Sequence, residues 1–152
     1  MQLTAHTDYA LRVLIYLTIH TDKLVTITEL ADFFGVSRNH LVKVVHKLGV
    51  KGFILTVRGK GGGIRLSRPA REISVGSVVR EVEGHFQMAE CFNPNKQGQC
   101  AIQTRCGLMG LLGNAVEQFL QVLDKAVLSD LVTVPFAGQR LRSLDASQRH
   151  PG

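Results

Sequence analysis

The chain has 152 residues, with 18 Lys and Arg against 12 Asp and Glu, three Cys, no Trp and 45% hydrophobic residues. These values suit one domain, or one small domain with an oligomerisation element, and exclude disorder or low complexity for most of the chain. No segment approaches the roughly 18 to 20 uninterrupted apolar residues of a membrane span, and the opening MQLTAHTDYALR lacks the basic region and apolar core of a secretory signal. No membrane partner and a cytoplasmic location are therefore expected.

The first element predicted is a helix that starts just after Thr7 and Asp8 and carries Tyr9, Leu11, Val13, Leu14, Ile15, Leu17 and Ile19. It is apolar around most of its circumference, so it should be largely buried, and it should end near Thr21 and Asp22. Thr26-Ile27-Thr28-Glu29 then fits a capping box, with Thr26 as cap and Glu29 reaching back. Ile27, Leu30, Ala31 and Phe34 mark one face of this second helix, and Gly35 stops it. Ser37 caps a third helix, with Leu41, Val44, Val45 and Leu48 inward and Arg38, Asn39, His40, Lys43 and Lys47 outward. Two short helices joined around a glycine, the second basic on its outer face, form a helix-turn-helix pattern.

Residues 53–57 read as a strand, 59–63 as a glycine turn and 64–66 as a returning strand, which completes a winged helix. A nucleotide-binding glycine loop would open a helix, and this one returns into a strand, so that alternative is rejected. A short helix from Ile73 places Val75, Val78, Val79 and Val82 inside and closes at Gly84. Asn93, Pro94, Asn95 and Gly98 make residues 85–106 an irregular loop. A long helix is predicted over 107–132, with Leu108, Leu112, Ala115, Phe119, Val122 and Ala126 as a seam and Leu111, Val116, Leu120, Leu123 and Val127 as a second flank. One small winged helix cannot cover both flanks, so this helix is expected to pair with its copy in a homodimer. The composition turns polar after Pro135, and a mobile tail is expected over 133–152. The fold class is thus mainly α: a winged helix-turn-helix DNA-binding domain over 1–84, a cysteine-rich loop over 85–106, a dimerisation helix over 107–132, and the tail.

The net charge of +6 becomes informative once it is placed along the chain. Between Phe33 and Arg71 there are nine basic residues and no Asp or Glu, so this block carries +9 and the rest of the chain carries −3. A basic block of this kind suits a polyanion, and in a winged helix the polyanion is double-stranded DNA. Arg38, Asn39 and His40 at the start of the third helix, with Lys43 one turn on, are placed to read base edges, and their cap Ser37 belongs to the same DNA-binding set. Lys47, Arg58, Lys60 and Arg65 are placed to meet phosphates.

The second constellation is Cys91, Cys100 and Cys106, all the thiols in the chain, separated by gaps of eight and five residues. An odd number in a reducing compartment argues against structural disulfides. Zinc knuckles prefer pairs two to four residues apart, whereas wide spacing in a loop suits an iron–sulfur cluster, with one ligand still to be found. A redox-switching thiol pair, a structural zinc site and three incidental small residues remain open on spacing alone. No His, Asp or Glu stands in sequence as an obvious base for a thiol enzyme, and no enzyme activity is expected.

Four separate segments carry a family resemblance: Gln2-Leu-Thr with His6-Thr-Asp-Tyr-Ala-Leu-Arg12, Gly35-Val-Ser-Arg-Asn-His-Leu-Val-Lys43, Val57-Arg-Gly-Lys-Gly-Gly-Gly-Ile-Arg-Leu66, and Val78-Val-Arg-Glu-Val-Glu83. Together they resemble NsrR-type proteins, the nitric-oxide-sensing repressor branch of the iron–sulfur winged-helix regulators, from Met1 to about Val132. The resemblance implies a homodimer with one iron–sulfur cluster per subunit, either 4Fe-4S or 2Fe-2S, held by Cys91, Cys100 and Cys106. It implies that Asp8, donated from the other subunit, is the oxygen ligand, and that nitric oxide attacks the iron and releases operator DNA of detoxification genes. Arg12, four residues after Asp8, could pair with it when the cluster is gone. The eight-residue gap between Cys91 and Cys100 is longer than is usual in the family. The sibling branch that monitors cluster supply, and regulates cluster assembly, carries His three residues after its last cysteine. Met109 stands there in this chain, which favours the nitric oxide branch.

Overall fold

A computed structural model describes residues 2–96 and 98–132, and the expected tail at 133–152 lies outside the described residues. The elements follow the chain as α1 (Ala5–Ile19), α2 (Ile27–Phe34), α3 (Arg38–Val50), β1 (Ile54–Val57), β2 (Gly63–Leu66), α4 (Val75–Val82) and α5 (Leu108–Asp124). The order helix, helix-turn-helix, hairpin, helix is a winged helix with a C-terminal extension, and the fold is mainly α as its sequence predicts.

Helix α1 is the centre of the core. Ala10, Val13, Leu14 and Leu17 are buried, and they meet Leu30 and Ala31 of α2, Leu41, Val44, Val45 and Leu48 of α3, and Val78 and Val82 of α4 in one cluster. Each such aliphatic side chain withdrawn from water contributes about 1.5 to 3 kcal/mol. The start of α1 lies earlier than its apolar pattern indicates. Thr4 caps it by accepting from the Thr7 amide, and Thr7 and Asp8 lie within its first turn. The reason is a partner distant in sequence: Glu83, which follows α4, accepts from the Thr4 amide at 3.1 Å and from the Thr7 hydroxyl at 2.6 Å.

Helix α2 has the predicted cap, with the Thr26 hydroxyl accepting from the Glu29 amide, and Gly35 ends it in the left-handed region at φ 64°. The reciprocal half of the box does not form. The Glu29 carboxylate accepts instead from the Tyr16 hydroxyl at 2.7 Å and from Lys23 Nζ at 2.5 Å, tying α2 to α1. Burial and this hydrogen bond push the Tyr16 phenol up to about 12. The wing is an antiparallel pair in the register Ile54 with Leu66 to Val57 with Gly63. Val25 adds a third partner, exchanging both backbone hydrogen bonds with Ile64 at 3.0 and 2.8 Å.

Helix α5 ends at Asp124, short of the predicted Val132. Beyond it the Val75 amide donates to the Ala126 carbonyl and the Leu128 amide to the Ile73 carbonyl, and Leu128 is fully buried. These backbone bonds pull the chain off the helical path, so Ala126 and Val127 continue neither the seam nor the flank. The turn is possible because α4 and α5 nearly touch at Gly76, where an added Cβ would lie 2.7 Å from the Asp124 amide nitrogen. Arg80 of α4 closes the same crossing with an ion pair to Asp124 at 2.7 Å. Because the obstacle at Gly76 is backbone, Gly76→Ala is expected to force α5 away from α4 and to lower unfolding stability by about 1 to 3 kcal/mol. An unchanged denaturant midpoint would contradict this close approach.

Candidate nucleic-acid interface and cysteine loop

Helix α3 begins at Ser37, whose hydroxyl accepts from the His40 amide at 3.3 Å, so this side chain is committed to capping. Arg38, Asn39 and Lys43 are exposed, as their positions predict. His40 does not face outward with them. Its ring packs edge-on against Tyr9 of α1 with centroids 5.2 Å apart, and its Nε2 is buried without a hydrogen-bond partner among the described residues. It sits beside the buried Leu41, on the flank of α3 that turns toward α1. His6 of α1 belongs to the same seam: burial, then the charges of His40 and Lys47, hold its imidazole below the ordinary value. Lys47 is half-buried.

Two residues not singled out by sequence complete the outer face of α3, the exposed Val42 and His46. Arg38, Val42 and His46 recur every four residues, with Asn39 and Lys43 alongside. The helical period alone could have placed Val42 there, but its residue type suggests core.

On the wing, Arg58 and Lys60 are exposed at the turn and Arg65 is exposed on β2. The turn is built for glycine, with φ of 100° at Gly59 and 78° at Gly61, while a Cβ on Gly62 would collide with the Val57 carbonyl oxygen. Other members of the basic block are engaged within the protein. Lys51 pairs with Glu81 at 2.6 Å, Arg71 with Glu72 at 3.7 Å, and Arg68 donates to the Gly52 carbonyl while lying over the Phe53 ring. Arg38, Lys43, Arg58, Lys60 and Arg65 have no carboxylate within ion-pair distance among the described residues, so their positive charge is left for an external anion.

The cysteine loop is irregular, as its Asn, Pro and Gly content predicts, and contains short 3-10 turns at Glu90–Phe92, Pro94–Lys96 and Gln103–Arg105. Its polar contacts are local: Lys96 pairs with Glu90 at 2.6 Å, and the Gly98 amide donates to the Gln103 side chain at 2.7 Å. All three thiols are unpaired, with Cys100 exposed and Cys91 and Cys106 half-buried. Among the described residues no three His, Cys, Asp or Glu side chains converge to hold a metal ion within one chain. The donor chemistry fits an iron–sulfur cluster, since three accessible thiols share one loop that little else braces. The single chain does not bring them together. Asp8 is engaged on α1 itself, its Oδ2 2.9 Å from Arg12 Nη2, in the pairing that the four-residue spacing suggests. The Arg12 guanidinium also lies over the Tyr9 ring, 5.5 Å from its centroid. Burial works to raise the nearby Glu83 carboxyl, but the hydrogen bonds from Thr7 and Thr4 hold it below its ordinary value.

The family model for Rrf2, described as an iron-dependent transcriptional regulator, matches residues 3–134. The HTH-type transcriptional regulator NsrR of Bacillus subtilis is 46% identical over 133 residues, covering 87% of this chain and 90% of that protein. The protein of the same name from Bacillus licheniformis is 44% identical, covering 87% and 92%. Among solved structures, IscR of T. potens superposes with a TM-score of 0.69 at 22% identity, covering 87% of this chain and 86% of that one. The oxidised form of Staphylococcus aureus CymR superposes with a TM-score of 0.65 at 28% identity, covering 88% and 98%.

Proposed function

The chain belongs to the Rrf2 family of transcriptional regulators, and on that premise we propose that it is a cytoplasmic, homodimeric, non-enzymatic repressor whose grip on operator DNA depends on an iron–sulfur cluster and is released by nitric oxide. The observation that carries this reading is the placement of the chain's entire thiol complement, unpaired, in the one loop between the DNA-binding domain and α5. Cys91, Cys100 and Cys106 would hold a 4Fe-4S or 2Fe-2S cluster, with Asp8 of the partner subunit as the oxygen ligand. When bound, the cluster supplies iron that reacts with nitric oxide.

The uncovered apolar surface supports a second copy. Leu108, Met109 and Leu111 are exposed where α5 leaves the cysteine loop, with Leu111 at 66%. A groove of about 190 Å³ beside Arg12 is lined by Ile15, Ile19, Phe33 and Phe34. These two faces flank the two halves of the proposed ligand set, the thiols and Asp8, so one dimer contact can cover both and bring the donors together.

The same residues supply a route from ligand to reader. Asp8 holds Arg12, Arg12 lies over Tyr9, and Tyr9 abuts His40 in the first turn of α3. When Asp8 turns to the partner's loop, Arg12 loses its partner, and the Tyr9 ring and the first turn of α3 settle against a changed neighbour. Arg38 and Asn39 project from that turn to read bases, with Lys43 one turn on, while Lys47, Arg58, Lys60 and Arg65 meet phosphates.

The test is anaerobic purification of the full chain, iron and sulfide analysis, and nitric oxide titration with DNA retardation as the readout. A brown protein whose specific DNA complex dissociates on nitrosylation is expected; a colourless zinc protein would overturn the reading. Cys100→Ala should lose the chromophore and specific binding while remaining dimeric, and normal binding without a chromophore would rule out gating. Tyr9→Leu should keep the cluster spectrum but bring the operator affinities of the loaded and cluster-free forms closer together; an unchanged ratio would remove Tyr9 from the route. Arg38→Ala should cost about 1 to 3 kcal/mol of discrimination at one base position. Lys60→Ala should instead weaken all sequences alike and flatten the log–log salt slope by about 0.9.

A further inference from the structure

We propose that Val42 is a specificity-determining residue of the DNA interface, reading the 5-methyl group of a thymine in the major groove. The inference rests on the reading of α3 as the helix that enters the groove, and it adds a base identity to that reading. Val42 is 42% exposed, at the edge of the outward face of α3, between the buried Leu41 and Val45 on one side and the exposed Asn39, Lys43 and His46 on the other. Arg38 lies one turn before it and His46 one turn after, so along the helix axis it stands midway between residues with hydrogen-bonding side chains.

Lone exposed aliphatic residues are ordinary on protein surfaces, and exposure alone would carry nothing. The position is what matters. A β-branched residue is a poorer helix former than Lys, Glu or Ala, and here it stands in a stripe whose other members are suited to polar base edges. The major groove offers one apolar feature, the thymine methyl, and an aliphatic side chain at mid-helix is its chemical complement. A hydroxyl or amide at position 42 would seek a donor or acceptor, whereas valine rewards only displacement of water from the methyl. Four residues advance the helix by about 6 Å, close to two base steps of about 3.4 Å. The thymine should therefore lie within about two base pairs of the base read by Arg38.

The experiment uses the anaerobically purified full chain, its Val42→Ala variant, and duplexes that the unmodified protein selects from a random library. Each thymine is replaced in turn by deoxyuridine, which removes only the methyl group. For the unmodified protein, one thymine per half-site should show binding weakened about threefold to tenfold, near the value of one buried methyl group. For Val42→Ala the same replacement should have a clearly smaller effect, because the shortened side chain withdraws most of the contact with the methyl. Equal deoxyuridine penalties in both proteins, or no thymine that shows one, would overturn the proposal. Arg38→Ala on the same duplexes separates this from failure of the wider reading. Lost discrimination there, with no coupling at Val42, overturns the methyl contact alone; unchanged discrimination removes α3 as the reading helix and Val42 with it.

Discussion

The structure depends on the burial of α1. Its inward face packs at once against α2, α3 and α4, and its N-terminal turn is fastened by Glu83 from the end of α4. The same helix also contacts the returning strand of the wing and the residues after α5. A displacement of α1 cannot be absorbed locally, because close-packed interiors have few voids into which neighbours can relax. Asp8, Tyr9 and Arg12 stand on this helix, so whatever acts on them acts on the seat of α3.

The cysteine loop has the opposite character. Both of its stems are fixed, one by Glu83 on the cap of α1 and the other by α5, which is held to α4 at Gly76 and Arg80. Between the stems, Cys91, Cys100 and Cys106 sit among short 3-10 turns held by neighbours in the loop. Rigid ends with a weakly braced middle allow three thiols to be gathered by what they bind, at little cost to the core. On the proposed reading this explains how one chain can carry a complete set of sulfur donors without a formed metal site: the set is finished by a second subunit, and metal binding then couples to assembly.

Much of this was legible in the sequence, and the failures share a cause. Ser37, Thr26 and Gly35 are local signals, and the caps and the left-handed stop form where they predict. Thr4 was hidden because its partner Glu83 lies 79 residues away. Glu29 fits a reciprocal box by spacing, yet the Tyr16 hydroxyl and Lys23 compete successfully for its carboxylate. Helix α5 was overextended because a heptad-like pattern carries no record of the backbone bonds that Ile73 and Val75 make to residues 126 and 128. At the interface, Arg38, Asn39 and Lys43 follow from periodicity, but His40 turned inward because Tyr9 offers its ring an edge contact that no spacing rule reveals.

The basic block shows how structure refines charge. By count, nine cations between Phe33 and Arg71 face no acid in that stretch. In space, Lys51 and Arg71 find Glu81 and Glu72, and Arg68 braces the carbonyl of Gly52 and the ring of Phe53. Lys51 and Arg68 brace the junction of α3, the wing and α4, Arg71 pairs only with its neighbour in sequence, and the charge of all three is largely answered within the protein. The unanswered cations divide between the outer face of α3 and the wing. A duplex presents a groove between two rails of phosphate, and on the proposed reading this division would set readers at the groove and cations at its rails. Affinity would then come mainly from the wing and discrimination from α3, so a small tilt of α3 relative to the wing alters register before it alters charge. An effector that acts through α1 on the first turn of α3 is therefore placed to change which sequence is held more than whether DNA is held at all.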